Sequence, residues 1–243
     1  MCSSDLLPTL YERSGFGASS LRDDQRRFRT STADVLAQQR AVRGAARPLL
    51  DCGAAIHSLR AASPDALLDL ANRTDGPLHI HVAEQLAEVR DCLDATGCRP
   101  IEWLLRHAGL DARWQLVHAT HSVPTEVDGV ATRGAGVVLC PGTEANLGDG
   151  LPDLGGWLAA GVPLSLGSDS QVTRSWPEEL RWLEYAQRLV HQQRNVAAAP
   201  GTQPATAARL FERMRQGGAS AAGRAHWGLQ AGARADLLLL NEH

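Results

Sequence analysis

Six short apolar runs recur along the chain, at residues 6–10, 53–56, 78–82, 115–119, 136–140 and 163–166, and they predict β-strands. Most are apolar at consecutive rather than alternate positions, as strands buried on both faces of a parallel sheet are. Between them the apolar period lengthens to three or four residues. Ser63 followed by Pro64 predicts a capped helix start, with Leu67, Leu70 and Ala71 along its apolar stripe. Pro100 opens a second such segment through Trp103, Leu104 and Ala108, and Gly109 is placed to close it. Ser175 and Glu178 predict a capping box ahead of a long amphipathic helix over 176–195, which carries Leu180, Leu183 and Val190. This alternation of strand and helix is that of parallel strands joined by helical crossovers, an α/β class.

The pattern changes after residue 196. Residues 197–200 read as a linker and 205–214 as a last helix, and Gly228 and Gly232 then precede an apolar run at 237–240 that predicts a strand pair. The chain has 243 residues, 44% hydrophobic and 21% charged, which excludes disorder. A net charge of -3 with no run of like charges offers no footprint for nucleic acid. No apolar stretch is long enough to span a membrane and no basic-then-apolar leader is present, so no membrane association and a cytoplasmic location are expected. The five cysteines are scattered with no C-x-x-C pair, which points to neither a disulfide framework nor a cysteine zinc site. Every basic residue is Arg, which excludes a Schiff-base lysine.

Polar groups gather at the ends of three predicted strands. His81 and Glu84 follow the third run, His118 and His121 the fourth, and Ser168, Asp169 and Ser170 the sixth. Parallel sheets place their active sites at the carboxyl ends of strands. Each residue alone has a structural explanation: His79 fits a buried histidine satisfied by backbone below the site, and Asp169 fits a turn or helix cap. The recurrence favours chemistry. Two imidazoles and a carboxylate suit one divalent ion, zinc or iron, and leave Glu84 to move protons.

The strings HIHVAEQ at 79–85, LVHATH at 116–121, CPGTEANLGDG at 140–150 and LGSDSQ at 166–171 resemble the amidohydrolase superfamily. Within it the nearest likeness is to the enzymes that deiminate formiminoglutamate. LYERSGFG at 10–17, AIHSLRA at 55–61 and EELRWLEYAQRL at 178–189 extend the resemblance over nearly the whole chain. It implies a (β/α)8 TIM-like barrel with a small β-rich segment, divided here as 6–216 and 217–243. It also implies one divalent ion, zinc first, held in part by His81 and Asp169. Glu84 would then be a proton shuttle, His118 a catalytic histidine beside the ion, and Asp169 the general base as well. The implied reaction is hydrolysis of N-formimino-L-glutamate to N-formyl-L-glutamate and ammonia in histidine degradation.

A small acidic substrate needs cationic donors, because Arg grips carboxylates with a bidentate fork. Arg60 is the first candidate and Arg174 a weaker one, while the TEANLGDG segment, with Asn146 and Gly148, is expected to shape the rim between neighbouring strands; an ordinary polar turn would equally explain its Asn and glycines. Two features depart from the family pattern. The H-x-H motif of its first strand is missing, so the chain is expected to be an N-terminally incomplete barrel, impaired on its own; Gln171 stands where His is expected. Rival readings are a deaminase or chlorohydrolase acting on a heterocycle, and a catalytically dead barrel fragment. Related barrels commonly form homodimers, and the stripe of the 176–195 helix would serve either an outward contact or the cover of the barrel.

Overall fold

The computed structural model describes residues 4–18, 20–47 and 49–234. In chain order the elements are β1 (Ser4–Leu6), β2 (Thr9–Leu10), α1 (Thr32–Gly44), β3 (Leu50–Cys52), β4 (Ala54–Ile56), α2 (Pro64–Arg73) and β5 (Leu78–Val82). There follow α3 (Leu86–Thr96), α4 (Pro100–His107), β6 (Trp114–His118), α5 (Pro124–Arg133), β7 (Gly136–Leu139), α6 (Pro141–Leu147) and α7 (Leu154–Ala159). The last three are β8 (Leu164–Leu166), α8 (Trp176–His191) and α9 (Thr206–Ala221). Six strands pair in the order β2-β4-β5-β6-β7-β8, every pairing parallel, and β1 continues the first pair against β3. This is an incomplete TIM-like barrel.

One register row explains the core. Leu10, Ile56, Ile80, Leu116, Val137 and Leu164 lie side by side across all six strands, and all are buried in one cluster with Leu67, Leu104, Val127 and Leu158 of the helices. The next row, His81, Val117, Val138 and Ser165, points to the opposite face. That inner face carries only a small apolar cluster of Val117, Val138 and Cys140, so polar groups can occupy the rest.

All six predicted strands form, with corrections at their ends. The 6–10 run is interrupted between β1 and β2, where Pro8 has no amide hydrogen to give to a ladder. The 53–56 run begins earlier, at Leu50, and breaks at Gly53, where a Cβ would lie 2.3 Å from the Pro77 carbonyl oxygen. Ser63 caps α2 as expected, accepting from the Ala66 amide at 3.3 Å. The Ser175 capping box does not form: the Ser175 hydroxyl makes no cap bond, and Glu178 instead accepts from the Thr173 hydroxyl at 3.0 Å. The long helix ends at His191, four residues short of the expected end. The last helix, expected over 205–214, runs on to Ala221 as α9, and Gly217 lets it lie directly on β8. The predicted strand at 237–240 lies outside the described residues. Among the described residues, no helix is long and apolar enough to cross a membrane.

Candidate metal centre and active site

His81 is the fourth residue of β5 and faces the inner row. Its Nδ1 lies 2.7 Å from the His57 carbonyl oxygen, which accepts the ring proton and leaves Nε2 bare towards the centre of the sheet. Burial pushes the His81 pKa down, with the Asp169 carboxylate and the carbonyl bond opposing it. His79, two residues earlier on the same face, bonds through Nε2 to the Ala221 carbonyl at 2.9 Å and takes no part in the centre.

His118 reaches the site by a different route. It pairs with Val82 in the row that points to the helices, so plain strand alternation would turn its ring away. Its φ of +70° breaks the alternation, and the Ala119 amide donates to the Val117 carbonyl at 3.1 Å across it. That three-residue turn is a rare, strained γ-turn. The ring is thereby swung to within 5.6 Å of His81, stacked at 26° and 1% exposed. Asp169 follows β8 in a tight turn, itself at a φ of +42°.

These three side chains converge. One ligand atom from each of His81, His118 and Asp169 lies within 4.8 Å of the others. Asp169 Oδ1 is 3.9 Å from His81 Nε2, and its Oδ2 is 3.9 Å from His118 Nε2. Glu84 Oε1 lies 3.8 Å from the same His118 nitrogen. Glu84 is fixed through its backbone: buried Glu88, in the first turn of α3, accepts from the Ala83 amide at 3.1 Å and the Glu84 amide at 2.9 Å. Burial raises the Glu84 pKa, which suits a carboxyl that must carry a proton. For His118 burial acts to lower the pKa, but the carboxylates of Glu144, Glu84 and Asp169 outweigh it and the net shift is upward.

Two groups of this neighbourhood, His57 and Glu144, carried no role in the sequence reading. His57 at the end of β4 stands 5.2 Å from the His81 ring and 4.6 Å edge-on from Tyr11. Burial lowers its pKa to about 4, with the charges of His81 and Arg60 adding to the effect. The TEANLGDG string is no open turn: it forms α6, with Gly148 as its left-handed C-cap, and turns Glu144 inward against His118 while Asn146 is exposed. His121 bonds through Nε2 to the Asp149 carbonyl at 2.7 Å, outside the cluster. A histidine two or three places beyond a strand end could mark either outcome, and periodicity alone does not separate them.

Arg60 is half-buried and lines a cavity of about 140 Å³ with Tyr11, Arg13, Ser14, Arg22 and Gln25. Tyr11 of this cavity stands edge-on to His57, which in turn neighbours His81. Arg13 is committed to the Leu59 carbonyl at 2.9 Å and Arg22 to Asp24 at 3.2 Å. Arg174 and Gln171 are exposed beyond the Asp169 turn.

Known proteins share this arrangement of sequence. Formimidoylglutamate deiminase of Pseudomonas aeruginosa is 44% identical over 241 residues, which cover 97% of this chain and 52% of that protein. A 5-methylthioadenosine/S-adenosylhomocysteine deaminase of Natronomonas pharaonis is 29% identical over 235 residues, 94% of this chain and 53% of that protein. The crystal structure of an amidohydrolase from Brucella melitensis superposes with a TM-score of 0.87 at 44% identity, covering 95% of this chain and 52% of that one. The chain thus spans about half the length of the relatives it matches. The Amidohydrolase family matches residues 9–243, which contain every strand of the six-stranded sheet and the whole His–His–Asp cluster, and the chain therefore belongs to that family.

Proposed function

We propose that this chain carries the β5-to-β8 half of the active site of a metal-dependent hydrolase that deiminates N-formimino-L-glutamate to N-formyl-L-glutamate, releasing ammonia. The observation that carries the reading is the convergence of His81, His118 and Asp169 within 4.8 Å, with Glu84 beside them. Imidazole nitrogen and carboxylate oxygen are the donors that zinc and iron accept, and the bare Nε2 of His81 is already turned to the cluster. His81 and Asp169 would hold the ion. When bound, a divalent ion supplies Lewis-acid activation of water at neutral pH.

The chain's own residues do the remaining work. Asp169 accepts a proton from the attacking water, and its turn holds the carboxylate where both histidines face it. His118 Nε2 stands beside the centre where the formimino carbon becomes tetrahedral. Glu84 carries the proton to the departing nitrogen, a task its raised pKa favours. Arg60, in a cavity that gathers three guanidinium groups, supports a substrate with carboxylates over a neutral ring. The 44% identity to a formimidoylglutamate deiminase points the same way. In a cytoplasmic enzyme of histidine breakdown the ammonia formed would be free to leave in water.

The test is calorimetric titration of the zinc-loaded chain with N-formimino-L-glutamate and, in parallel, with 5-methylthioadenosine. Binding of the acidic compound alone is expected. Arg60→Ala should weaken it roughly 10-fold or more, since a charged hydrogen bond contributes about 1.5–3 kcal/mol. Preference for the nucleoside, or indifference to Arg60→Ala, overturns the substrate assignment. Ammonia release measured alongside reports whether this span of chain suffices for turnover.

A further inference from the structure

Glu144 is a buried carboxylate that the chemistry above does not use. It sits on α6, 1% exposed, and no arginine or backbone-free cation is bonded to it among the described residues. Its Oε1 accepts from the Cys140 amide at 3.1 Å and lies 3.4 Å from His118 Nδ1. Neither its Oε2 nor His118 Nδ1 makes a hydrogen bond, and this carboxylate, at 3.4 Å, is the acid that the Nδ1 faces. Burying an acid without a cation costs several kcal/mol, so an acid that remains there has its closest use in the ring it faces.

The geometry of His118 gives that contact a meaning. The two ring nitrogens point to different kinds of neighbour: Nε2 to Asp169 and Glu84, Nδ1 to Glu144. The γ-turn at His118 fixes where the ring starts, but rotation about the side-chain bonds still allows either nitrogen to face the centre. A carboxylate at one nitrogen removes that freedom, because it holds the proton there and determines which nitrogen is bare. Glu144 is itself immobile: its helix starts at Pro141, and Glu179 of α8 accepts from the Gly142 amide at 2.7 Å.

We propose that Glu144 is a positioning residue that keeps the proton of neutral His118 on Nδ1 and so presents the bare Nε2 to the His81–Asp169–Glu84 cluster. Its value to a reaction rests on the reading of His118 given above, whereas the tautomer itself does not depend on any substrate.

Long-range ¹H–¹⁵N correlation spectra of the histidine-labelled, metal-free chain test this, recorded at a pH high enough to leave the ring neutral. The His118 signals are assigned by their loss in His118→Asn. The native chain is expected to show a protonated Nδ1 and a bare Nε2. Glu144→Gln should preserve that pattern, because a carboxamide oxygen also accepts from Nδ1. Glu144→Met, matched in length but with no such acceptor, should move the proton to Nε2 or give a mixture, while the His79 signals stay in place. Glu179→Gln, which loosens α6 without removing the acceptor, should leave the tautomer unchanged. A bare Nδ1 in the native chain overturns the proposal, and so does an unaltered tautomer in Glu144→Met. Should the Met variant not fold, the native and Gln spectra decide: loss of the Nδ1 proton in either one refutes the assignment.

Discussion

The two ends of the sheet are built on opposite terms. At the amino ends α9 lies against β8 so closely that a Cβ on Gly217 would come within 1.9 Å of the Leu164 carbonyl oxygen. There His79 is satisfied by the Ala221 carbonyl, and Arg224 joins Asp51 at 3.0 Å and also pairs with Asp5. At the carboxyl ends five non-glycine residues, Ala83, His118, Ala119, Asp169 and Gln171, take positive φ, and polar atoms of His118, Glu144, Glu179 and Asp149 lack full hydrogen bonding. The α9–β8 contact closes one end, where a cavity of about 340 Å³ and the unbonded Trp114 Nε1, Gln115 Nε2 and Arg224 Nε also lie, and positive φ gathers at the other. Backbone strain, rather than unpaired polar atoms, separates the two ends: it gathers in the turns that carry His118 and Asp169, away from the α9–β8 contact.

Breaking the α9–β8 contact should cost the most. Gly217→Ala puts a methyl group into the Leu164 backbone, and the expected loss of stability is about 3 kcal/mol, read from urea unfolding. A Gly217→Ala chain as stable as the native one would show that α9 does not hold this end. At the opposite end Asp169→Asn should weaken zinc binding at least about 100-fold, since even partners one step removed from a metal matter 10–100-fold. Unfolding of that variant should move by under about 1 kcal/mol. Competition with a chelating dye measures the first and urea unfolding the second.

Acid sharpens the comparison through His57. Its pKa in the fold is about 4, below the ordinary 6.5, so the unfolded chain binds more protons across that interval. The stability this group contributes is fully present above about pH 6.5 and is lost as pH falls towards about 4. Glu84, Glu88 and Glu179 have raised pKa values and act with the opposite sign, favouring the fold on acidification. The difference between the native chain and His57→Gln isolates the histidine. It is expected to shrink by about 2 kcal/mol between pH 7 and pH 4, allowing for partial exposure of the ring. A pH-independent difference would place His57 in contact with water. The smallest effect is a gain: Ala119, buried at a φ of +48°, should stabilise the fold by about 0.5–1 kcal/mol when replaced by Gly. Thermal unfolding of Ala119→Gly reads it, and a loss instead would mean that the methyl group packs better than the backbone strains.

Much of the frame was legible in the residue order. Consecutive apolar positions mark all six strands, and Ser63–Pro64 and Pro100 mark helix starts that the structure keeps. Helix α1 escaped because its apolar face is weak, and only the reciprocal Ser31–Asp34 cap announces it. The TEANLGDG string, expected at the rim and equally explained as a polar turn, lies mostly in a helix that Pro141 opens and Gly148 closes, with Glu144 buried in it. Ser175 failed as a cap because Thr173 captured Glu178 first.

By itself the sequence determined the parallel α/β alternation and the delivery of His81, His118 and Asp169 to one rim, because apolar period and strand-end position are local properties. Which nitrogen faces which acid, and that His118 faces inward at all, was decided only in the tertiary structure. The reason is physical: strand parity assigns His118 to the helix side with Val82, and the γ-turn at positive φ, whose Ala119 amide also bonds to the Val82 carbonyl of β5, reverses it.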